Sequence, residues 1–172
     1  WKMTGTHIDS YFYVNQGGVY ELSNFDDSIE YDLLRKALKV LNFQRNDVIA
    51  MFRAMAGILH LGQIQFCEDD DGEGSRLTND SLTEQSMRNA CELLGIESDQ
   101  LISTLTTRVL VTRSESVIKK IGTKDAAATR DALAKAIYGR IFDWIVTNIN
   151  YCIHVDPTSV RADIGVLDIF GF

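Results

Sequence analysis

The first helical pattern follows a polar, glycine-containing segment. The cluster Asn15-Gln16-Gly17-Gly18 is typical of a loop, and Asp26 or Asp27 can cap a helix after it. Four apolar residues then recur at every fourth position: Ile29, Leu33, Ala37 and Leu41. This spacing predicts an amphipathic helix that ends near Asn42.

The second helical pattern is apolar around most of its circumference. It starts after Asn46, a plausible N-cap. Its main apolar face consists of Val48, Met51, Phe52, Met55 and Leu59, with Ile49, Ile58 and Leu61 beside it. The pattern predicts a central, buried helix with Gly62 just past its end. Ile64 and Phe66 then alternate with polar residues, which indicates a strand.

An acidic stretch separates this strand from two further helices. "CEDDDGEGSR", residues 67–76, predicts a mobile surface loop, and its carboxylates lack the order of an EF-hand calcium loop. The next helix places Leu82, Met87, Cys91 and Leu94 inward and stops at Gly95. A short helix opened by Ser98 follows, with Leu101, Ile102 and Leu105 apolar.

A hairpin and a long helix are predicted next. Residues 108–121 alternate like two strands, with Val109 and Val111 in the first, Val117 and Ile118 in the second, and a polar tip at 112–116. From Thr123 or Asp125 a helix of roughly seven turns is predicted. Its apolar residues at strict four-residue spacing are Leu133, Ile137, Ile141, Ile145 and Ile149. The fold class is therefore mainly α with a few β elements.

The chain ends in an apolar run that contains one acid. Residues 164–169 are typical of a strand covered on both faces, and Asp168 stands near its end. A buried carboxylate is costly unless a cation or hydrogen-bond donors meet it. Asp168 could therefore face the magnesium of a bound nucleotide, or it could simply cap the next turn; the pattern alone leaves both open.

Composition narrows the possible function. The chain has 172 residues, of which 45% are hydrophobic and 24% charged, which suits one globular domain. Its net charge of -7 argues against a nucleic-acid-binding surface over the whole molecule. The three cysteines form no C-x-x-C pair, so we expect neither a zinc cluster nor a disulfide framework, and we expect a reducing compartment. No apolar run reaches the length of a membrane span, and the layout of a targeting peptide is absent at the start.

The predicted hairpin reverses the charge of the chain. It contains four basic residues, Arg108, Arg113, Lys119 and Lys120, and a single acid, Glu115. Such a locally basic hairpin suits an acidic partner, although a solvated tip without a partner has the same composition.

Other chemistry finds little support. His60 on the buried helix is predicted to be a core histidine, and His7 and His154 lack partners at metal-ligand spacing. No nucleophile-elbow sequence occurs, which argues against a hydrolytic triad. No G-x-x-x-x-G-K-[ST] occurs in these 172 residues either.

Four ordered motifs resemble the motor domains of myosins. They are "YFYVNQGG", "MAGILHLGQIQF", "RDALAKAIYGRIFDWIVTNIN" and "VLDIFGF", and together they span the chain. The resemblance implies that residues 1–172 are part of one motor domain of the P-loop NTPase-like fold. They would form the upper 50-kilodalton region and end in a strand of the central sheet. The sequence near the end of the chain is similar to that of unconventional myosin classes such as III or VII.

The resemblance also implies site residues at the end of the chain. Residues 164–172 would be a sheet strand and part of switch II. Asp168 would approach the Mg²⁺ of ATP through water, and the Gly171 amide would bind the γ-phosphate. Both residues would therefore be catalytic and cofactor-binding. Glycine suits this position because its backbone can approach a ligand without a Cβ clash.

Residues 108–122 would be an actin-facing loop. Arg108, Arg113, Lys119 and Lys120 would meet the acidic actin filament. Glu115 lies 131 − 115 = 16 residues before Asp131, where the family places an acid or a phosphorylatable residue. A glutamate would make that negative charge permanent, although Ser114 and Ser116 lie one position away.

Two functions are therefore predicted. In the first, the chain is part of an actin-based ATPase motor of the cytoplasmic actin cytoskeleton. It would pack against the remainder of the motor domain, with light chains on other regions, and it would be inactive alone because it lacks the phosphate-binding loop and switch I. In the second, it is a non-catalytic helical module that binds actin through the basic loop.

Overall fold

The computed structural model describes residues 3, 7–111, 116–156, 158, 162 and 164. The helices are α1 (Asp27–Val40), α2 (Arg45–Gly62), α3 (Ser81–Leu94), α4 (Ser98–Thr106) and α5 (Thr123–Cys152), preceded by a 3-10 turn at Ile8–Ser10. Two antiparallel hairpins accompany them: β1 (Phe66–Glu68) pairs with β2 (Ser75–Leu77), and β3 (Thr107–Val111) pairs with β4 (Ser116–Lys120). The mainly α prediction is confirmed. The predicted strand at the chain's end lies outside the described residues apart from Ile164.

The core forms around α2, as its apolar pattern predicts. This helix packs against α3 and α5, and the residue Ile64 just beyond it is fully buried. The buried cluster comprises Ile58, Leu61, Ile64, Met87, Ala90, Leu101, Leu105 and Ala134. The helix begins at Arg45 after Gln44, slightly earlier than the Asn46 cap predicts, and it includes Gly62. Helix α2 therefore contributes to the core through its contacts with both α3 and α5.

Local sequence features set the ends of several helices. The Asp26 carboxylate accepts hydrogen bonds from the amides of Ser28 and Ile29, at 2.8 and 3.3 Å, and so caps α1. Gly95 ends α3 in the left-handed region, with φ of 69°. Both predicted helix ends are confirmed.

Burial follows the predicted α3 face more closely than the apolar stripe of α1. Of the four α3 residues predicted to lie inward, only Leu82 is exposed. In α1, Ile29 and Leu33 are 59% and 49% exposed, and Leu38 is buried instead. The spacing of apolar residues shows that a helix is amphipathic, but the packing partner decides which edge of the apolar face is covered.

The acidic stretch is more structured than predicted. Its ends form β1 and β2, and the Asp69 amide donates to the carbonyl of Gly74 at 3.2 Å across the turn between them. Gly74 and Ser75 are buried. The loop prediction fails at these residues because contacts with the second hairpin, distant in sequence, cover them.

Along the described part of the chain, no helix combines the length and the apolar character needed to cross a bilayer. The same residues contain no cluster of three or more histidine, cysteine or acidic side chains able to hold a metal ion.

Candidate functional site

The hairpin β3–β4 carries the predicted basic surface. Its register pairs Thr107 with Lys120, Arg108 with Lys119 and Leu110 with Val117. Because side chains alternate between the two faces of a ribbon, Arg108 and Lys119 share one face with Leu110 and Val117. Lys120 belongs to the opposite face.

Arg108 and Lys119 are like charges on directly opposed residues. Such a pair destabilises an isolated ribbon unless an anion lies nearby. Both side chains are exposed, and neither has an ion-pair partner within the residues that the structure describes. The pair is therefore available to an acidic surface.

The opposite face of the ribbon carries exposed apolar side chains. Val109, Val111 and Ile118 are 59%, 77% and 69% exposed. A two-stranded ribbon cannot bury such residues by itself. A contiguous exposed apolar patch with charged neighbours is typical of a protein-binding surface.

The base of the hairpin is hydrogen-bonded to the rest of the fold. The Ile121 amide donates to the Thr106 carbonyl at 3.0 Å, and the Ser75 hydroxyl donates to the Ile121 carbonyl at 2.8 Å. The Thr107 hydroxyl donates to the Ser103 carbonyl at 2.7 Å. These bonds connect the ribbon to α4 and to the first hairpin.

Lys120 does not match the other predicted cations. Its Nζ lies 2.7 Å from Asp69 Oδ2 and 2.8 Å from Asp71 Oδ2. The hydrogen bond from Lys120 holds the pKa of Asp69 at about 2, and the same two acids raise the pKa of Lys120. Lys120 is therefore paired with two acids of the same chain, and its predicted contact with a partner stays a prediction.

The remaining predicted site residues lie outside the described part of the chain. They are Arg113, Glu115, Asp168 and Gly171. Of the predicted partner-binding residues, the structure brings together Arg108 and Lys119 and separates Lys120 from them. The roles of Asp168 and Gly171 towards a nucleotide stay predictions.

A second polar cluster was not predicted from the sequence. Arg130 is 4% exposed; its Nη1 donates to the Ile64 carbonyl at 2.7 Å and its Nε to Asp131 Oδ1 at 2.9 Å. The Tyr13 hydroxyl donates to the same Asp131 oxygen at 2.7 Å. Burial, followed by this hydrogen bond, raises the pKa of Tyr13. Only the fold brings the N-terminal segment to α5, so no local pattern could have indicated the cluster.

His60 is a core histidine, as predicted. It is 1% exposed, its Nε2 lies 3.4 Å from Asn89 Nδ2, and the Tyr11 ring meets it edge-on at 6.0 Å between centroids. These contacts give it a packing role between α2 and α3.

Helices α2 and α5 enclose a mostly apolar groove of about 610 Å³. Its lining includes Met51, Ala54, Ile137, Ile141 and Trp144. The four-residue repeat of α5 thus lines this groove as well as the core.

Comparison with known proteins identifies similar sequences along the whole chain. The model of the family described as myosin head (motor domain) matches residues 2–172. Protein OPAQUE1 of Zea mays is 41% identical over 96% of this chain, Myosin-7 of Arabidopsis thaliana 42% over 93%, and Myosin-2A of Naumovozyma castellii 37% over 97%. The aligned part is 11%, 9% and 10% of those proteins, so the chain spans about a tenth of the curated relatives it matches.

Proposed function

Because the chain belongs to the myosin head (motor domain) family, we propose that it forms part of an ATP-driven motor that moves on actin filaments. Within that motor it supplies two parts. One is a basic hairpin that contacts actin, and the other is the start of switch II. The motor acts in the cytoplasm on the actin cytoskeleton. The unconventional class, III- or VII-like, stays a prediction.

The exposed cation pair on β3–β4 is the observation that carries the actin contact. Arg108 and Lys119 repel each other across the ribbon, and an acidic partner would relieve this repulsion. The exposed Val109 and Ile118 on the opposite face add apolar area that a partner could cover. Arg113 and Glu115, which lie between the two strands in the sequence, complete the proposed contact.

Removal of both cations tests the contact. In the motor domain that contains this chain, Arg108→Ala/Lys119→Ala should weaken actin binding about three- to tenfold at low salt and reduce its dependence on salt, because the charges act through screened attraction. Co-sedimentation with actin across a salt series measures both effects.

The matched control is Lys36→Ala/Lys39→Ala, which removes two exposed charges from α1. It should leave actin affinity within about twofold of the starting protein. Equal losses in the two double variants, or no loss in either, would contradict an actin contact through the hairpin.

Asp168 and Gly171 are the residues proposed to act on the nucleotide. In the complete motor, Asp168 would approach Mg²⁺ through water and the Gly171 amide would bind the γ-phosphate. ATP and Mg²⁺ would supply the chemistry, and the phosphate-binding loop would come from polypeptide beyond this chain. The chain alone should therefore be inactive.

Gly171→Ala tests this role in the complete motor. A Cβ at this position would hinder the close approach of the amide to the phosphate, so hydrolysis should fall by at least about a hundredfold while ATP binding persists. Quenched-flow measurement of the phosphate burst gives the first quantity, and a fluorescent ATP analogue gives the second. A normal burst would remove Gly171 from this role.

The exposed apolar faces support packing against the remainder of the motor domain. Val40 on α1 and Tyr151 on α5 are 84% and 83% exposed. The alternative, a non-catalytic actin-binding module, requires no such packing and no nucleotide. Salt-dependent actin binding without ATP binding by the complete protein would favour the module over the motor.

A further inference from the structure

The two hairpins of the structure are joined by an ion-pair cluster. The turn between β1 and β2 places Asp69 and Asp71 on the Nζ of Lys120, the last residue of β4. Lys120 lies next to Ile121, whose carbonyl accepts the Ser75 hydroxyl. Strand β2 and the acidic turn therefore hold the base of β3–β4 from the same side.

Close backbone packing accompanies the charges. A Cβ added to Gly74 would lie 2.8 Å from Lys120 Cβ and 2.8 Å from Asp69 Oδ2. The Gly74 amide donates to Asp69 Oδ1 at 3.0 Å, which orients the carboxylate that receives Lys120. Glycine is required here because any side chain would separate the turn from β4.

We propose that Asp69, Asp71 and Lys120 form a latch that orients the β3–β4 hairpin for its partner, so that these three are positioning residues. The proposal rests on the proposed actin contact of Arg108 and Lys119. The latch occupies the face of Lys120 and leaves the opposite face, with Arg108 and Lys119, turned towards an acidic partner.

The latch differs from an ordinary surface ion pair. An isolated exposed pair contributes little, because two long side chains must be ordered in water. Here one ammonium meets two carboxylates, and the Asp69 side chain is only 13% exposed, whereas that of neighbouring Asp70 is 97% exposed. The hydrogen bond from the Gly74 amide also orients the Asp69 carboxylate that receives Lys120.

The hairpin depends on this support because its own strands bury little. Val109, Leu110, Val117 and Ile118 are all at least 44% exposed. Two-stranded ribbons are marginal in water without a packed face. Loss of the latch should therefore loosen β3 and β4 while the core around α2 stays intact.

Charge arguments and the latch predict opposite signs for one variant. Asp69→Asn/Asp71→Asn removes two negative charges beside a basic hairpin, so simple electrostatics predicts tighter binding to an acidic partner. The latch predicts weaker binding, because the hairpin loses its orientation. In the motor domain that contains this chain, actin affinity of Asp69→Asn/Asp71→Asn should fall about threefold at low salt.

Hydrogen exchange tests the latch without a partner. In the same variant, the amides of β3 and β4 should exchange about three- to tenfold faster, and Lys120→Met should have the same effect. Combining the changes should give no further increase in the exchange rate, because each change alone already disrupts the same ion-pair network. Lys120→Arg should retain most of the protection, since it keeps the charge.

Asp70→Asn is the matched control from the same turn. Exchange in the latch variants no faster than in this control would overturn the latch. Faster exchange with unchanged actin affinity would support the latch and contradict the hairpin as an actin contact. Slower or unchanged exchange with tighter actin binding would show that Asp69 and Asp71 act only through their charge, which also overturns the proposal.

Discussion

Arg130 shows how much one buried side chain connects. Its guanidinium donates to the Ile64 carbonyl and to Asp131, and lies 5.5 Å from the centroid of the Phe12 ring. A planar group with several fixed donors can make these contacts together, whereas an ammonium cannot. The residue therefore joins the N-terminal segment, the approach to β1 and helix α5.

Arg130→Lys should destabilise the chain by about 2–3 kcal/mol, because one or more buried acceptors would lose their donor while the charge stays buried. Urea unfolding followed by circular dichroism at 222 nm measures the change. Arg140→Lys, at an exposed position on the same helix, is the control and should cost less than about 0.5 kcal/mol. Equal shifts of the two midpoints would show that the Arg130 contacts contribute little.

At the scale of elements, helix α3 is held by an acid at its start. The Asp80 carboxylate accepts from the Thr78 hydroxyl and from the Thr83 amide, at 2.8 Å for the latter. The Thr78 hydrogen bond, followed by that from Thr83, lowers the pKa of Asp80 from 3.8 to about 2. The ionised form is thus favoured in the folded state.

The sign of the pH dependence follows from that lowered pKa. Asp80 contributes stability that is fully present above pH 3.8 and is lost as the pH falls towards about 2. Asp80→Asn, which keeps a capping oxygen, should leave the melting temperature near pH 7 within a few degrees and reduce its loss between pH 4 and 2. Thermal melts across this range provide the measurement.

Asp99→Asn, in the first turn of α4, is the comparison variant. Its melting temperature should decline with acid as steeply as that of the unchanged chain. A decline just as steep in Asp80→Asn would mean that the cap does not contribute to the acid sensitivity.

The elements themselves could largely be predicted from local sequence. The Asp26 cap, the Gly95 stop and the strand alternation of 109–118 act over a few residues, and the structure places a helix start, a helix end and a hairpin there. The buried faces could not be predicted equally well. The apolar stripe of α1 predicts the helix but not which of its residues are buried, because burial depends on neighbours distant in sequence.

At the scale of the whole molecule, the candidate site combines a predictable part with an unpredictable one. The basic hairpin is formed by one continuous stretch of sequence, so its positive charge can be predicted directly from residues Arg108 to Lys120. The pairing of Lys120 with Asp69 spans 51 residues and depends on how β2 and β4 dock. Sequence alone groups Lys120 with the partner-facing cations because nothing local distinguishes it from Lys119.

Helix α5 begins directly after the hairpin, with Gly122 as its N-cap, and runs for 30 residues, or about 45 Å. A stiff rod of that length converts rotation at one end into travel at the other: a tilt of about 5° displaces the far end by about 4 Å. At that end the Cys152 thiol lies 2.8 Å from the Leu41 carbonyl. A load that tilts α5 from the hairpin end would thus strain the contact between its last residue and the end of α1.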